Sequence, residues 1–274
     1  MYSPPTPPLR PAAPPAPRPA LPHSTTYSAE SFDDQVAWFL DRYSGGFQAP
    51  LWEGDMRGVG AKSRLKRHRD AAVEQAQKLL SEDRLRFQLT LGNTEQIVTD
   101  LSTVLSKTTL VPIGQVKQLD RLDVQQRAAL ARALVEHLYP RESEGSFAGL
   151  IKALSPALSN LRGSWAFVTA LRGLVFPKEH ACVQPGKFAL QARIMHRELP
   201  DAGKPSERDY HAYRALAREV ERELRQRGLA PRDLLDVLDF MRTTLSPRAR
   251  ATLAGAAGRR RMRLGGDLNA RGVA

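Results

Sequence analysis

The sequence predicts an all-α protein: a single irregular multi-helix domain between a proline-rich N-terminal tail and a basic C-terminal tail. Apolar residues recur with helical spacing from Ser28 onward, and alternating stretches are short. Ten of the 20 prolines lie within residues 4–22, so the rest of the chain has an ordinary globular composition. A length of 274 residues with 42% hydrophobic content suffices for a large core.

The chain divides into three predicted parts. Residues 1–27 are expected to be a disordered, polyproline-like tail, because each proline fixes φ and removes a backbone donor. Residues 28–245 carry the helical pattern and form the domain. Residues 246–274 are expected to be a flexible arginine-rich tail.

Helix signals begin at Ser31, a capping residue followed by two acids that favour a helix start. Gly45–Gly46 ends that first helix. After a glycine-containing loop, a sparse apolar stripe predicts an amphipathic helix over Lys62–Leu80 with a basic N-terminal half. Phe87–Leu91 alternates for a few residues and offers weak evidence for a strand.

The middle of the chain predicts several more helices. Thr94–Leu105 has clean helical spacing and is broken by Pro112. Asp123 and Gln126 form a predicted capping box at the start of the next helix. Shorter helices are predicted over Phe147–Leu154, Ser164–Val175 and Phe188–Met195; the second of these is apolar all round and therefore central.

The last two predicted helices have the clearest boundaries. Ser206 caps the longest helix, and Gly228 suits the left-handed position after it. Pro231 is placed in the first turn of a final helix with a buried stripe that ends near Met241.

Positive charge is concentrated in two segments. The formal net charge is +12; residues 57–69 supply six cations and no acid, and residues 248–274 supply seven arginines against Asp267. A near-neutral body with two basic segments favours a polyanion partner, DNA or RNA. The predicted nucleic-acid-binding residues are Arg57, Lys62, Arg64, Lys66, Arg67, Arg69, Arg259, Arg260, Arg261 and Arg263.

A compositional explanation of this charge stays open. Arginine outnumbers lysine 32 to 9 along the whole chain, so an arginine-rich tail is also what coding bias would give. Cations are unfavourable near a helix N-terminus, so the basic collar predicted around the start of Lys62–Leu80 must either meet an anion or stay hydrated.

No catalytic residue, metal site or cofactor is predicted. The sequence lacks nucleotide-binding glycine motifs, and its histidines lack ligand spacing. Asp233, Asp236 and Asp239 recur every three residues and could face a metal, but capping and salt links to Arg232 or Arg242 are the favoured interpretation.

His180 and Cys182 form a weak candidate for a nucleophile pair. Burial of Cys182 as a small hydrophobic residue is the favoured alternative. A pocket is also predicted between the apolar helix and residues 176–188, with Lys178, Lys187 and Asp236 as its candidate polar residues. The two lysines could hold an anion together.

The sequence predicts a cytoplasmic protein. No apolar run approaches the roughly 20 residues of a membrane span, and the N-terminus has no secretory signal. With Cys182 as the single cysteine, no intrachain disulfide can form. The proline-rich tail could bind a protein partner, since Pro5-x-x-Pro8 resembles a ligand of proline-binding grooves.

Three elements of the sequence resemble a family of functionally uncharacterised bacterial proteins. Phe39–Phe47 is similar to its F-P-x-G-F opening, and Ser164–Pro177 with Val183–Phe188 to its tryptophan-containing central element. Arg232–Phe240 resembles its P-R-D-x-I-D-x-Q-S-F close. Short pieces also resemble accessory regions of modification-dependent restriction proteins. The resemblance implies one continuous domain over Ser28–Leu245 and no catalytic assignment.

The favoured function is therefore a non-catalytic nucleic-acid-binding helical protein, linked through the weaker resemblance to a defence or restriction-like system. Two alternatives stay open. The first is a protein-interaction or scaffold module that uses the proline-rich tail. The second is an enzyme of unknown reaction with its pocket near Phe176–Phe188.

Overall fold

The computed structural model describes residues 31–141, 145–158 and 160–251. Within these ranges every regular element is helical, which confirms the all-α prediction. The α-helices are α1 Phe32–Arg42, α2 Pro50–Trp52, α3 Arg69–Leu79, α4 Glu82–Thr90, α5 Thr94–Ser106, α6 Ile113–Val116, α7 Val124–Leu138, α8 Ser146–Leu154, α9 Trp165–Val175, α10 Pro185–Ile194, α11 Glu207–Gln226 and α12 Leu234–Thr244. Short 3-10 segments and one π-helical turn, Glu53–Arg57, connect them.

The predicted helix starts depend on side-chain caps, and three are confirmed. Ser31 accepts a hydrogen bond from Asp34 N–H, and Ser206 accepts one from Asp209 N–H. Asp123 and Gln126 form the full capping box at α7. Each cap satisfies a backbone donor that the first helical turn leaves without an intrahelical partner.

The core is continuous through the helical domain. Helix α7 packs against α5, α4 and α8, and α9 packs against α3. Nearly all of α9 is buried, as its apolar character predicts. Helix α12 is buried on all sides among α1, α10 and α11.

The prediction of a helix over Lys62–Leu80 is wrong in its first part, because α3 begins at Arg69. The preceding residues form a loop, since Gly58 and Gly60 hold φ values of 83° and 70° that L side chains rarely adopt. A β-carbon at Gly58 would also lie 2.7 Å from the His68 ring.

Three smaller expectations also need correction. Phe87–Leu91 is helical in α4 up to Thr90, so the short alternation was not a strand signal. Pro231 lies before α12, whose N-cap is Asp233. The chain does not leave the domain at residue 245: Ser246 caps a helical stretch at 247–251, where Ala249 is fully buried.

No helix among the described residues combines the length and the apolar character that crossing a bilayer requires. The predicted proline-rich tail, residues 1–27, lies outside the described ranges, and so does most of the predicted basic tail.

Candidate functional site

The most cationic exposed segment of the described chain is a loop of nine residues, 59–67, which we call the basic loop. All nine residues are exposed. The loop carries Lys62, Arg64, Lys66 and Arg67 and no acidic residue. Four of the predicted nucleic-acid-binding residues are therefore on the surface and close together in the chain.

Arg57 and Arg69, which flank the basic loop, point inward. Only 2% of Arg57 and 1% of Arg69 is exposed. Arg69 makes a bidentate pair with Asp239, with Nε–Oδ2 and Nη2–Oδ1 distances of 2.7 and 2.8 Å. Two of the six predicted cations of residues 57–69 are therefore buried in ion pairs and out of reach of a polyanion.

Arg57 binds two carboxylates of the same helix end. Its Nη1 and Nη2 donate to Asp233 at 2.9 and 2.6 Å, and its Nε donates to Asp236 at 2.8 Å. Asp236 also accepts from Trp52 Nε1 at 3.0 Å and from the Arg232 backbone N–H at 2.8 Å. Every carboxylate oxygen of this cluster thus has a donor, which is what a buried charge requires.

The pKa shifts in this cluster follow from burial and pairing. Burial by itself would lower the pKa of the Arg57 guanidinium, but hydrogen bonds and charge from Asp233 and Asp236 outweigh it and hold the pKa above its ordinary value. Burial raises the pKa of the Asp236 carboxyl, while Arg57, Arg232 N–H and Trp52 act in the opposite direction.

This geometry settles how the three aspartates of the Asp233–Asp239 repeat are used. Asp233 is an N-cap, accepting from the backbone N–H of Leu235 and Asp236, in line with the favoured interpretation. Of the two expected salt links, the one between Arg242 and Asp239 is present, whereas the Arg232 side chain binds elsewhere. The closest cations are Arg57 and Arg69, whereas Arg242 lies 3.5 Å from Asp239 and Arg232 pairs with Asp70.

The ends of the basic loop are fixed to α12 through Arg57 and Arg69, while its middle stays open. Arg67 donates from Nη2 to Asp55 Oδ1 at 3.3 Å, an exposed pair. Arg64 donates to the Gln75 side chain at 2.9 Å. The Lys66 carbonyl accepts from Thr109 N–H at 3.0 Å and so ties the loop to the segment before α6.

A groove with a volume of about 600 Å³ begins at that segment. One wall is formed by Thr109–Pro112, and the other by residues 184–187 and Leu190 of α10. Lys187 is its charged lining residue. We call this feature the α10 groove.

Lys187 lines a groove, as predicted, but the other two predicted pocket residues, Lys178 and Asp236, lie elsewhere. Its Nζ donates to the Leu245 carbonyl at 2.9 Å, and burial together with Arg242 and Arg250 lowers its pKa. Lys178 is exposed, and its carbonyl accepts from Arg218 outside the groove. Asp236 is buried against Arg57. The three residues therefore do not form one pocket.

The Cys182 and His180 side chains do not form a nucleophilic pair. Cys182 is fully buried, as the favoured interpretation expected, and its Sγ lies 3.9 Å from the Ala166 carbonyl. Burial raises the pKa of its thiol to about 12, which leaves it protonated at neutral pH. His180 instead hydrogen-bonds through Nδ1 with the Tyr210 hydroxyl at 3.0 Å.

A buried histidine, His137, and a half-buried one, His180, are expected to make the fold acid-sensitive. Burial, aided by Arg172, lowers the pKa of His180 to about 4 and that of His137 well below its ordinary value. Within the described chain neither ring nitrogen of His137 has a hydrogen-bond partner at acceptable geometry. Between about pH 6.5 and pH 4 the unfolded chain binds protons that the folded one excludes, so stability falls as pH falls.

Through His137, the free energy of unfolding is expected to be about 2 kcal/mol lower at about pH 5 than at about pH 7.5. His137→Leu is expected to remove this part of the pH dependence. Urea denaturation at the two pH values measures it. The control is His211→Leu, because His211 is exposed. An unchanged pH dependence in His137→Leu would show that this histidine is not held neutral in the fold.

Comparison of the chain with protein-family models, curated proteins and solved structures found no match. The resemblance to the uncharacterised bacterial family consequently stays a prediction.

Sequence reasoning missed several cations that the fold brings close to the basic loop and the α10 groove. Lys107 is exposed two residues before Thr109, and Arg242 and Arg250 lie near Lys187. Their positions could not be predicted, because Lys107 is isolated in the sequence, Arg242 was expected only as a partner of an aspartate, and Arg250 was counted with the basic tail. The predicted tail residues Arg259, Arg260, Arg261 and Arg263 lie outside the described residues.

Proposed function

We propose that the protein binds nucleic acid through the backbone phosphates, using the basic loop as its main contact. One observation carries this proposal: nine consecutive exposed residues with four cations and no acid, fixed at both ends by buried ion pairs. Lysine and arginine side chains that contact phosphates release condensed counter-ions, which gives affinity without base specificity.

The anchoring supports the proposal because a loop fixed at its ends loses less conformational entropy on binding than a free tail does. The charges of Arg57 and Arg69 are neutralised by buried aspartates of α12, so these two arginines do not add to the positive charge of the loop. Asp55, next to Arg67, is the acid that pairs directly with a loop cation. An exposed pair of this kind contributes little energy, and a phosphate can replace it.

Nucleic-acid affinity is expected to fall steeply with salt. Four phosphate contacts predict an affinity weaker at about 200 mM salt than at about 50 mM by roughly fiftyfold for a single strand and roughly 150-fold for a duplex. Fluorescence anisotropy with a labelled oligonucleotide measures this. Replacing Lys62, Arg64, Lys66 and Arg67 together with glutamine is expected to weaken binding at least tenfold and to flatten the salt dependence.

A matched control removes the same charges elsewhere. Lys117, Arg121, Arg132 and Lys152 are two lysines and two arginines, all exposed and all outside the basic loop. Their replacement with glutamine changes the net charge equally, so a loss of affinity equal to that of the loop variant would reject the loop as the contact. Absence of binding by the unmodified chain at low salt would reject the proposed function itself.

The bacterial and cytoplasmic setting and a role in a defence or restriction-like system are part of the same proposal. They rest on the single cysteine and on the sequence resemblance. Binding that depends on base modification in the oligonucleotide would support the restriction-like role.

A further inference from the structure

The α10 groove is continuous with the basic loop. Thr109 N–H donates to the Lys66 carbonyl, and Arg69 Nη1 donates to Thr109 Oγ1 at 3.3 Å. Thr109 is at the same time a lining residue of the groove. The basic loop and the groove therefore meet at Thr109.

The groove is open and mainly apolar, with Thr109, Gln184 and Lys187 as its polar side chains. Pro112 and Leu190 contribute aliphatic surface, Leu110 and Val111 line the groove but are only 1% and 4% exposed, and none of the lining residues is acidic. The Gln184 side chain offers an amide donor and acceptor. The volume of the groove, about 600 Å³, lies in the range of sites for small organic ligands and can contain a nucleotide.

Lys187 supplies the positive charge of the groove lining. The hydrogen bond from Lys187 Nζ to the Leu245 carbonyl holds α10 against the end of α12, next to the helical stretch at 247–251 that carries Arg250. Arg242 and Arg250 are close enough to lower the pKa of Lys187. This charge favours an occupant with an anionic group, and the walls favour one with an apolar face.

We propose that the α10 groove holds one nucleotide of a single-stranded nucleic acid that also follows the basic loop, with its phosphate at Lys187 and its base against the apolar walls. This inference rests on the proposed function. A single strand is required because the bases of a duplex are stacked inside the helix and cannot enter a groove. A cationic groove that follows the backbone is one component of sequence-tolerant single-strand binding; the usual second component is aromatic stacking, whose place aliphatic side chains take in the α10 groove.

Gly186→Glu tests the groove. A β-carbon at Gly186 meets no atom within 4 Å, and an acid in the first turn of α10 is favourable for the helix dipole, so the variant should fold. The negative charge at the groove is expected to weaken single-strand binding about tenfold. Gly149→Glu is the matched control, because Gly149 is also helical, exposed and without neighbours within 4 Å of its β-carbon.

Anisotropy with oligothymidine and oligouridine of about ten nucleotides, and with a duplex of the same length, gives the readout. We expect the unmodified chain to bind one or both single strands more tightly than the duplex. Lys187→Gln is expected to reduce the slope of log affinity against log salt by about 0.7, the value for one phosphate contact on a single strand.

Three outcomes would overturn the inference. The first is equal affinity for single strand and duplex. The second is equal single-strand affinity in Gly186→Glu and Gly149→Glu while the basic-loop variant loses binding; the groove inference then fails and the proposed function stands. The third is no binding by the unmodified chain, in which case the proposed function fails and the groove inference fails with it.

Discussion

Replacing Asp239 with alanine is expected to lower the free energy of unfolding by about 3–5 kcal/mol. The substitution leaves the guanidinium of Arg69 buried, with the hydroxyl groups of Thr108 and Thr109 at 3.3 Å and Arg242 close by. A charge that has lost its partner in the interior is much more costly than the intact pair is favourable. Urea denaturation with the linear extrapolation method measures the loss.

The control for this prediction is Asp55→Ala, which removes an exposed partner of an exposed arginine. That loss should stay below about 1 kcal/mol. Arg69→Met combined with Asp239→Leu should recover most of the stability, because an apolar pair of similar volume carries no desolvation cost. A loss in Asp239→Ala no larger than that of the control would mean that the Arg69 pair is not a structural anchor.

Replacing Phe39 with alanine is expected to cost a comparable amount, about 3–5 kcal/mol. Phe39 is fully buried, and its ring centroid lies 4.9 Å from that of Phe47 and 5.1 Å from those of Trp52 and Phe240. The loss combines the transfer of the removed atoms to water with the cavity that they leave. Trp52 also donates to Asp236, so a relaxed Trp52 would weaken the anchor of the basic loop.

Phe87→Ala is the matched control for Phe39→Ala, since the substitution is the same and 62% of Phe87 is exposed. It should change the free energy of unfolding by less than about 0.5 kcal/mol. Similar losses in the two variants would contradict the placement of the aromatic cluster at the centre of the α1–α12 contact.

The local part of the fold could be predicted from the sequence because its determinants are adjacent residues. Ser31, Asp123 and Ser206 each act on backbone groups within three positions of themselves. The all-round apolar character of Trp165–Val175 likewise implies burial without any knowledge of its partners.

The buried ion pairs could not be predicted in the same way, since their partners are 170–179 positions apart in the chain. A cluster of cations in sequence does not show which of them point inward. One signal was available: Asp236 and Asp239 are surrounded by Leu234, Leu235 and other core residues of one helix. Carboxylates in such a setting must be buried, and buried carboxylates require cationic partners.

The α10 groove was half predicted. The pocket was predicted between the apolar helix and residues 176–188, and Trp165, Ala166 and residues 184–187 do line the groove, but its further wall, Thr109–Pro112, comes from a segment that carried only a helix-breaking signal. Only the tertiary fold brings the two segments to the same side of the molecule.

The attachment of the basic loop at both ends has an evolutionary consequence. The side chains that fasten it, Arg57 and Arg69, stand outside the nine residues they enclose, so insertions or charge changes between them would disturb neither helix packing nor the ion pairs. Lengthening a surface loop twofold costs only about 0.6 kcal/mol. Homologous chains should therefore vary most in the length and the uncharged residues of this stretch while they keep its positive charge, and the two arginines and the three aspartates that receive them should change together or not at all.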